Sequence, residues 1–375
     1  MGCGSSSLKS TPGEGGGVSK VSDPSSDNLK HGGVLGGMPI RLGRLSIQGS
    51  FNQYESMSEA KKDDTQGHGT VTAGNITVTY AYLTQRGHYP DQPNKANQDA
   101  VMVRTEFGKK PDRHLFAVFD GHGETGAECA FFCKSKLPGM ILSQGERALE
   151  SDPEKSVHQA LLQVNEELHK SLFDDSLSGT TACVLLLDGK RLVVSNVGDS
   201  RAVLATKDEN GKLIAVDLSS DQTPFRDDEV ERVKACGARV LTLDQMDGLK
   251  DPTKKCWTEE SECDGDPPRL WVKNGFYPGT AFTRSLGDSL AEKIGVSAEA
   301  EHTTHEIQGQ KDAFVILATD GVWEFITSQR AVDIVAKHTS MHEAAQELAS
   351  ESYRLWLQNE RRTDDITATI LQFSC

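Results

Sequence analysis

The sequence predicts a layered α+β fold, and three features of it carry that expectation. Short runs rich in β-branched and aromatic residues read as strands, and longer runs with apolar residues on one face read as helices. The two kinds come in clusters rather than in regular β-α-β alternation, which favours antiparallel layers over a parallel sheet. The first strand expected is Asn75 to Tyr82, where Ile76, Val78, Tyr80 and Tyr82 alternate with small or polar residues. Further strands are expected over Leu115 to Phe119, Thr181 to Leu187, Leu192 to Val197, Ala202 to Ala205, Phe314 to Ala318 and Ile366 to Leu371. Tight connections between several of them point to antiparallel meanders. Helices are expected over Gly126 to Leu142, Pro153 to Leu172, Asp227 to Cys236, Gln329 to His338 and His342 to Leu357. In the second of these, Val157, Ala160, Leu161, Val164, Leu168 and Leu172 share one face, and Ser151 with Glu154 reads as a capping box. Between Leu241 and Tyr277 an acidic stretch bearing Pro and Gly reads as a surface insertion.

Composition separates residues 1–74 from the rest. Gly and Ser crowd there and aromatics are few, so burial cannot offset the entropy of ordering the chain. The segment reads as a disordered leader, with one folded domain over 75–375. It opens Met1-Gly2-Cys3-Gly4-Ser5-Ser6, which fits the myristoylation pattern at Gly2, and Cys3 offers a second acyl site. One acyl chain binds a bilayer only marginally while two anchor stably, so the expectation is attachment to the cytoplasmic face of a membrane. No apolar run approaches the roughly 20 residues needed to span one.

A formal net charge of -15, with no dense Lys/Arg run, argues against a nucleic-acid partner. Eight cysteines (Cys3, Cys129, Cys133, Cys183, Cys236, Cys256, Cys263, Cys375) are scattered, and no secretory signal precedes them, which fits a reducing compartment. Neither Cys129 with Cys133 nor Cys256 with Cys263 has a zinc-knuckle spacing.

The chemistry lies where strands stop. Phe116 to Phe119 runs into Asp120-Gly121-His122-Gly123, Val193 to Val197 into Gly198-Asp199-Ser200-Arg201, and Phe314 to Ala318 into Thr319-Asp320-Gly321. An apolar strand that ends on a carboxylate places the acid at the rim of a sheet, and the adjacent glycine lets the backbone turn close to whatever the acid holds. Any one of these Asp residues alone is equally a turn or cap residue. Three converging acids repel one another unless cations compensate them, and hard divalent cations with oxygen ligands, Mg²⁺ or Mn²⁺, suit that task.

A rival reading is that Gly121-His122-Gly123-Glu124-Thr125-Gly126 follows a strand and opens a helix, which formally matches the dinucleotide fingerprint. Asp120 just ahead of it would set a negative charge beside the pyrophosphate, and no second strand ending in an acid follows at the required distance of about 20 residues. No Walker A sequence is present either.

Seven motifs in order resemble the signature of the PPM (type 2C) family of metal-dependent protein phosphatases. They are Asn97-Gln98-Asp99, Asp120-Gly121-His122-Gly123, Ser178-Gly179-Thr180-Thr181, Val197-Gly198-Asp199-Ser200-Arg201, Arg284-Ser285-Leu286-Gly287-Asp288, Thr319-Asp320-Gly321-Val322-Trp323-Glu324 and Asp364-Asp365-Ile366-Thr367. The resemblance spans about Val78 to Leu371. It implies a four-layer sandwich of two antiparallel β-sheets flanked by α-helices, and hydrolysis of phosphoserine and phosphothreonine in proteins by a monomer. It implies two Mg²⁺ or Mn²⁺ ions, with Asp120 as the bridging carboxylate and the Gly121 carbonyl as a further ligand to one of them. Asp320 and Asp364 would hold the other ion, Asp99 would be a ligand or act through water, and Asp199 with Asp320 would suit a third, weaker ion. His122 resembles the general acid for the leaving oxygen, the alternative being a histidine that hydrogen-bonds the turn.

Two departures stand out. Gln98 replaces a frequent Glu, and Asn94 stands where the family often has a phosphate-binding Arg, which leaves Lys95 or Arg86 to supply a cation. The segment Ser219 to Pro224, with the helix bearing Asp227 and Glu231, resembles the family's flap beside the active site, a plain surface turn being the alternative. The competing function from another class is a catalytically silent relative that binds phosphoproteins as a scaffold; retention of Asp120, Asp320 and Asp364 favours catalysis.

Overall fold

The computed structural model describes residues 65–257 and 266–374. Two antiparallel sheets form its centre. The first has six strands in the spatial order Gln66–Ala73, Ile76–Gln85, Ile366–Ser374, Asp312–Ala318, Arg201–Lys207, Leu213–Asp217. The second has five, ordered Glu301–Glu306, Arg191–Val197, Ala182–Asp188, Arg113–Phe119, Ala100–Arg104. Because side chains alternate across a strand, each sheet offers one face to the other and one face outward. The inward faces meet in a core of Val78, Phe116, Val118, Leu185, Leu187, Val194, Leu204, Val315, Leu317 and Leu371. The outward face of the five-stranded sheet is covered by helices Gly126–Ser143, Glu146–Ser151 and Pro153–Leu168, through Cys129, Cys133, Leu137, Leu161 and Val164. Helices Ser328–Val335 and Met341–Asn359 cover the other, through Val332, Ala345, Leu348 and Trp356. The expected four layers of helix, sheet, sheet and helix are therefore present. Each fully buried Leu or Phe in them contributes about 2 kcal/mol of transfer free energy.

The seven expected strands and five expected helices are found, with their ends shifted by a few residues. Four strands of the two central sheets were not anticipated. Gln66–Ala73 corrects the boundary of the leader: it lies within residues 1–74 yet pairs with Ile76–Gln85 along its whole length. Residues 1–64, Gly2 and Cys3 included, lie outside the described residues. Ala100–Arg104, Leu213–Asp217 and Glu301–Glu306 are the other three. The capping box is also corrected. Ser151 ends the preceding short helix, and Asp152 caps Pro153–Leu168 by accepting from the Lys155 amide at 3.0 Å. The helix stops at Leu168, so Leu172 is 92% exposed rather than part of the apolar face.

The stretch read as a surface insertion carries structure of its own. Arg239–Leu241, Arg269–Trp271 and Pro278–Thr280 make a three-stranded sheet. With helix Asp227–Ala235 it shares a small core of Val230, Val233, Val240, Trp257, Leu270 and Phe282.

Candidate active site

Strand register explains why the acids gather. Ala100 pairs with Phe119, so Asp99, one residue before the first strand, stands beside Asp120, one residue after the second. In the other sheet Ala318 pairs with both Ala368 and Arg201, which brings Asp320 level with the segments that carry Asp364 and Asp199. The two sheets deliver these groups to one end of the sandwich. Asp120 and Asp320 act on one another, and Asp364, Asp99 and Asp199 act on them electrostatically.

The electrostatics of this cluster are unbalanced. Burial, followed by the charges of Asp365 and Asp364, pushes Asp99 well above the ordinary carboxylate range. Burial, then Asp320, Asp99 and Asp364, does the same to Asp120, and burial with Asp364 and Asp199 does it to Asp320. Asp199 is pushed up to about 6 by burial and by Asp221. Among the described residues no lysine or arginine forms a salt bridge to Asp99, Asp120, Asp320 or Asp364. One oxygen each of Asp99 and Asp320 is buried without any hydrogen-bond partner. An orphaned buried carboxylate oxygen costs free energy unless something positive meets it. This donor set, all oxygen and anionic, fits a hard divalent cation.

The surrounding residues fix the acids in place. The Thr319 hydroxyl donates to Asp99 Oδ2 at 2.9 Å, and the Tyr89 hydroxyl to Asp364 Oδ1 at 2.7 Å. Asp365 ties the chain together, accepting from the Gly87 amide at 2.6 Å and the Gln98 amide at 2.7 Å. The Asp120 backbone is held on both sides by Thr181, whose hydroxyl accepts from the Asp120 amide at 3.0 Å and whose amide donates to the Asp120 carbonyl at 2.8 Å. Gly121 and His122 pair with Thr180 and Gly179 in a short ladder that sets the histidine's direction.

His122 has a partner that the motifs did not announce. Its Nε2 lies 2.6 Å from Asp288 Oδ2, and the Ser285 hydroxyl donates to the same oxygen at 2.6 Å. Asp288 is 1% exposed and adopts a left-handed φ of 54°. Burial works against a charged His122, but Asp288 and then Asp199 outweigh it and raise its pKa. Gly179 makes room for the pair, since a Cβ there would lie 2.3 Å from Asp288 Oδ2 and 2.9 Å from His122 Nε2. The Phe282 ring packs on the imidazole at 4.4 Å between centroids.

The two candidate cations are placed differently. Arg86 donates to the carbonyls of Gln92, Pro93 and Lys95, so it shapes the loop rather than facing the acids. Lys95 rests its ammonium 4.0 Å from the centre of the Tyr89 ring and acts on Asp365. A cleft of about 730 Å³ is lined by Arg201, Ser219, Asp221, Phe225, Arg226 and Glu301, and by none of the acids of the cluster. Four of its charged groups are already paired, Arg201 with Asp221 and Arg226 with Glu301.

Comparison with known proteins puts this sandwich, with carboxylates gathered at one end, among the protein phosphatases. The chain belongs to the protein phosphatase 2C family, whose model matches residues 91–366. It is 53% identical over 302 residues, 80% of this chain and 86% of the relative, to probable protein phosphatase 2C 35 of Arabidopsis thaliana. Identity to probable protein phosphatase 2C 72 of the same plant is 33% over 346 residues, 86% of this chain and 96% of that one. Among solved structures, serine-threonine phosphatase 2C from Toxoplasma gondii superposes with a TM-score of 0.64 at 19% identity, covering 82% of this chain and 99% of that one.

Proposed function

We propose that this chain hydrolyses phosphoserine and phosphothreonine in proteins, and that its acidic cluster holds two Mg²⁺ or Mn²⁺ ions. The observation that supports this best is the convergence of Asp99, Asp120, Asp320 and Asp364, to which no lysine or arginine among the described residues forms a salt bridge. Asp120 and the Gly121 carbonyl, together with Asp320 and Asp364, would hold the ions, Asp99 would act directly or through water, and Asp199 with Asp320 would take a third, weaker ion. Bound there, such ions supply a water nucleophile at neutral pH and offset the charge of the phosphoryl group.

The chain's own residues do the remaining work. His122, kept protonated by Asp288, gives its proton to the departing serine or threonine oxygen, a contribution typically worth about 10²–10⁴ in rate. Asp288 occupies Nε2, which leaves Nδ1 to meet that oxygen. Lys95 offers the substrate phosphate a point charge without a bidentate fork. Purified protein should release phosphate from a phosphopeptide only with Mn²⁺ or Mg²⁺, and Asp120→Asn should lose that turnover while staying folded. No metal-dependent release would favour the silent scaffold instead, and faster turnover of small phosphate esters than of phosphoproteins would move the substrate class.

The motif at Gly2 and Cys3 supports a place on the cytoplasmic face of a membrane. Gly2→Ala should shift the protein to the soluble fraction, and unchanged membrane recovery would remove this claim.

A further inference from the structure

The loop over residues 86–99 joins strands Ile76–Gln85 and Ala100–Arg104, and it is fastened to the segment that carries Asp364. The His88 amide donates to the Thr363 hydroxyl at 2.6 Å, and the Thr363 amide donates to the His88 carbonyl at 3.0 Å. Gly87 lets the two chains touch, since a Cβ there would lie 2.6 Å from the backbone carbonyls of Thr363 and Asp364. Arg86 gathers the rest of the loop through the carbonyls of Gln92, Pro93 and Lys95. Tyr89 is thereby buried against Asp364, with the Lys95 ammonium over its ring.

The result at Asp364 is one-sided. Its Oδ1 accepts twice, from the Tyr89 hydroxyl at 2.7 Å and from the Asp365 amide at 2.9 Å. Among the described residues no hydrogen bond reaches its Oδ2. Asp99 repeats the pattern, with the Thr319 hydroxyl on Oδ2 and Oδ1 buried without a partner. A carboxylate with one oxygen engaged in this way offers an ion the other oxygen alone. Small, near-octahedral Mg²⁺ and Mn²⁺ accept such ligands, whereas Ca²⁺ takes about six to eight oxygens and fills its shell with bidentate carboxylates.

We infer that Tyr89 is a positioning residue that sets the ion preference of the acidic cluster: by occupying Oδ1 it holds Asp364 to ligation through one oxygen and so disfavours Ca²⁺. This rests on the reading of the cluster as an ion site. The same hydrogen bond orients the carboxylate, an outer-shell support whose loss typically costs about 10–100-fold in metal affinity. Without it Mg²⁺ and Mn²⁺ lose that support, while Ca²⁺ gains a second oxygen in exchange.

The test compares the full chain with Tyr89→Phe, which keeps the ring and its contact with Lys95. Mn²⁺ binding is read from the electron paramagnetic resonance of the free ion, and Mg²⁺ and Ca²⁺ binding from their displacement of Mn²⁺. The variant should bind Mn²⁺ and Mg²⁺ about tenfold more weakly and keep its affinity for Ca²⁺, so that Ca²⁺ displaces Mn²⁺ at a ratio about tenfold lower. A tyrosine that only packs the loop would weaken all three ions alike or none of them. Intact Mn²⁺ binding by the wild type with an unchanged Ca²⁺ to Mn²⁺ ratio in the variant would overturn the inference alone. A wild type that binds no Mn²⁺ would overturn the reading of the cluster, and this inference with it.

Discussion

Two dense groups of carboxylates occur among the described residues, and they are handled in opposite ways. Asp228, Glu229 and Glu301 have oxygens within 4.8 Å of one another, a spacing that on distance alone would suit an ion. Protein cations already meet them. Arg284 and Arg232 donate to the two oxygens of Glu229 at 2.7 and 2.6 Å, and Arg226 reaches Glu301 at 2.8 Å and Asp228 at 2.7 Å. Burial favours a neutral Glu229, yet Arg232, Arg284 and Thr283 together pull it well below the carboxylate range. At the sandwich end the shift is upward for Asp99, Asp120 and Asp320, because burial and neighbouring acids act with no guanidinium against them. The density of acids therefore does not distinguish the two regions; protein counter-charge does, and its lack at the sandwich end is what favours the proposed ions there.

The largest effect that tests this contrast is on turnover. Asp320→Asn should reduce kcat on a phosphopeptide by at least about a thousandfold, about 4 kcal/mol of barrier. In chelator the same variant should be as stable as the wild type or about 1 kcal/mol more so, because it removes one of several charges that repel. Glu229→Gln should instead cost about 3 kcal/mol in urea unfolding, since it leaves two guanidiniums with a neutral partner. Equal destabilisation by the two variants would erase the distinction between the regions.

A smaller effect is expected where a carboxylate of the pocket does have a cation. Asp288→Asn should lower kcat by about 10–100-fold by releasing His122. The pKa of His122 is raised by Asp288, so activity should fall as pH rises through it, and the variant should move that falling limb to lower pH. A pH profile of kcat decides this, and an unmoved limb would reduce Asp288 to a structural role.

How much of this was legible in the sequence depended on whether a signal was local. Asp120, Asp199 and Asp320 each close an apolar strand, so both the strand and its acid could be read from one short run. Asp364 and Asp99 begin strands, and their meaning came from resemblance to a family. The bond from Asp288 to His122 joins residues 166 positions apart and needs a left-handed backbone, neither of which has a local pattern. Tyr89 reaches Asp364 across 275 positions, with the same result. Gln66–Ala73 was hidden for another reason. Its glycines resemble a flexible tail, but Gly67 and Gly69 pair with Tyr82 and Tyr80, and a Cβ at either would lie 2.5 Å from the tyrosine oxygen. The rings of the neighbouring strand supply the surface that this strand lacks.

A third arrangement, in which the counter-charge itself titrates, sharpens the contrast at the lowest energy. His169 caps the end of helix Pro153–Leu168 with Nδ1 on Asp175 and Nε2 3.2 Å from Glu292. Its pKa is raised from 6.5 to about 9, chiefly by the hydrogen bond to Glu292, with burial opposing and Asp175 assisting. The helix end adds a favourable dipole for a cation. Because the folded value lies above the unfolded one, the stabilisation is complete below about pH 6.5 and is lost as pH rises through about 9. The imidazole is partly exposed, so solvent screening reduces the effect to about 1–2 kcal/mol. Comparing wild type with His169→Gln cancels the other titrating groups: their difference in urea midpoint should be widest at pH 6 and close by pH 10. A constant difference would mean that His169 acts as a neutral spacer. Asn165 on the same helix accepts from the Gly287 amide at 2.7 Å, directly before Asp288. Deprotonating His169 should therefore loosen the segment that holds His122, and activity should decline with stability on the alkaline side.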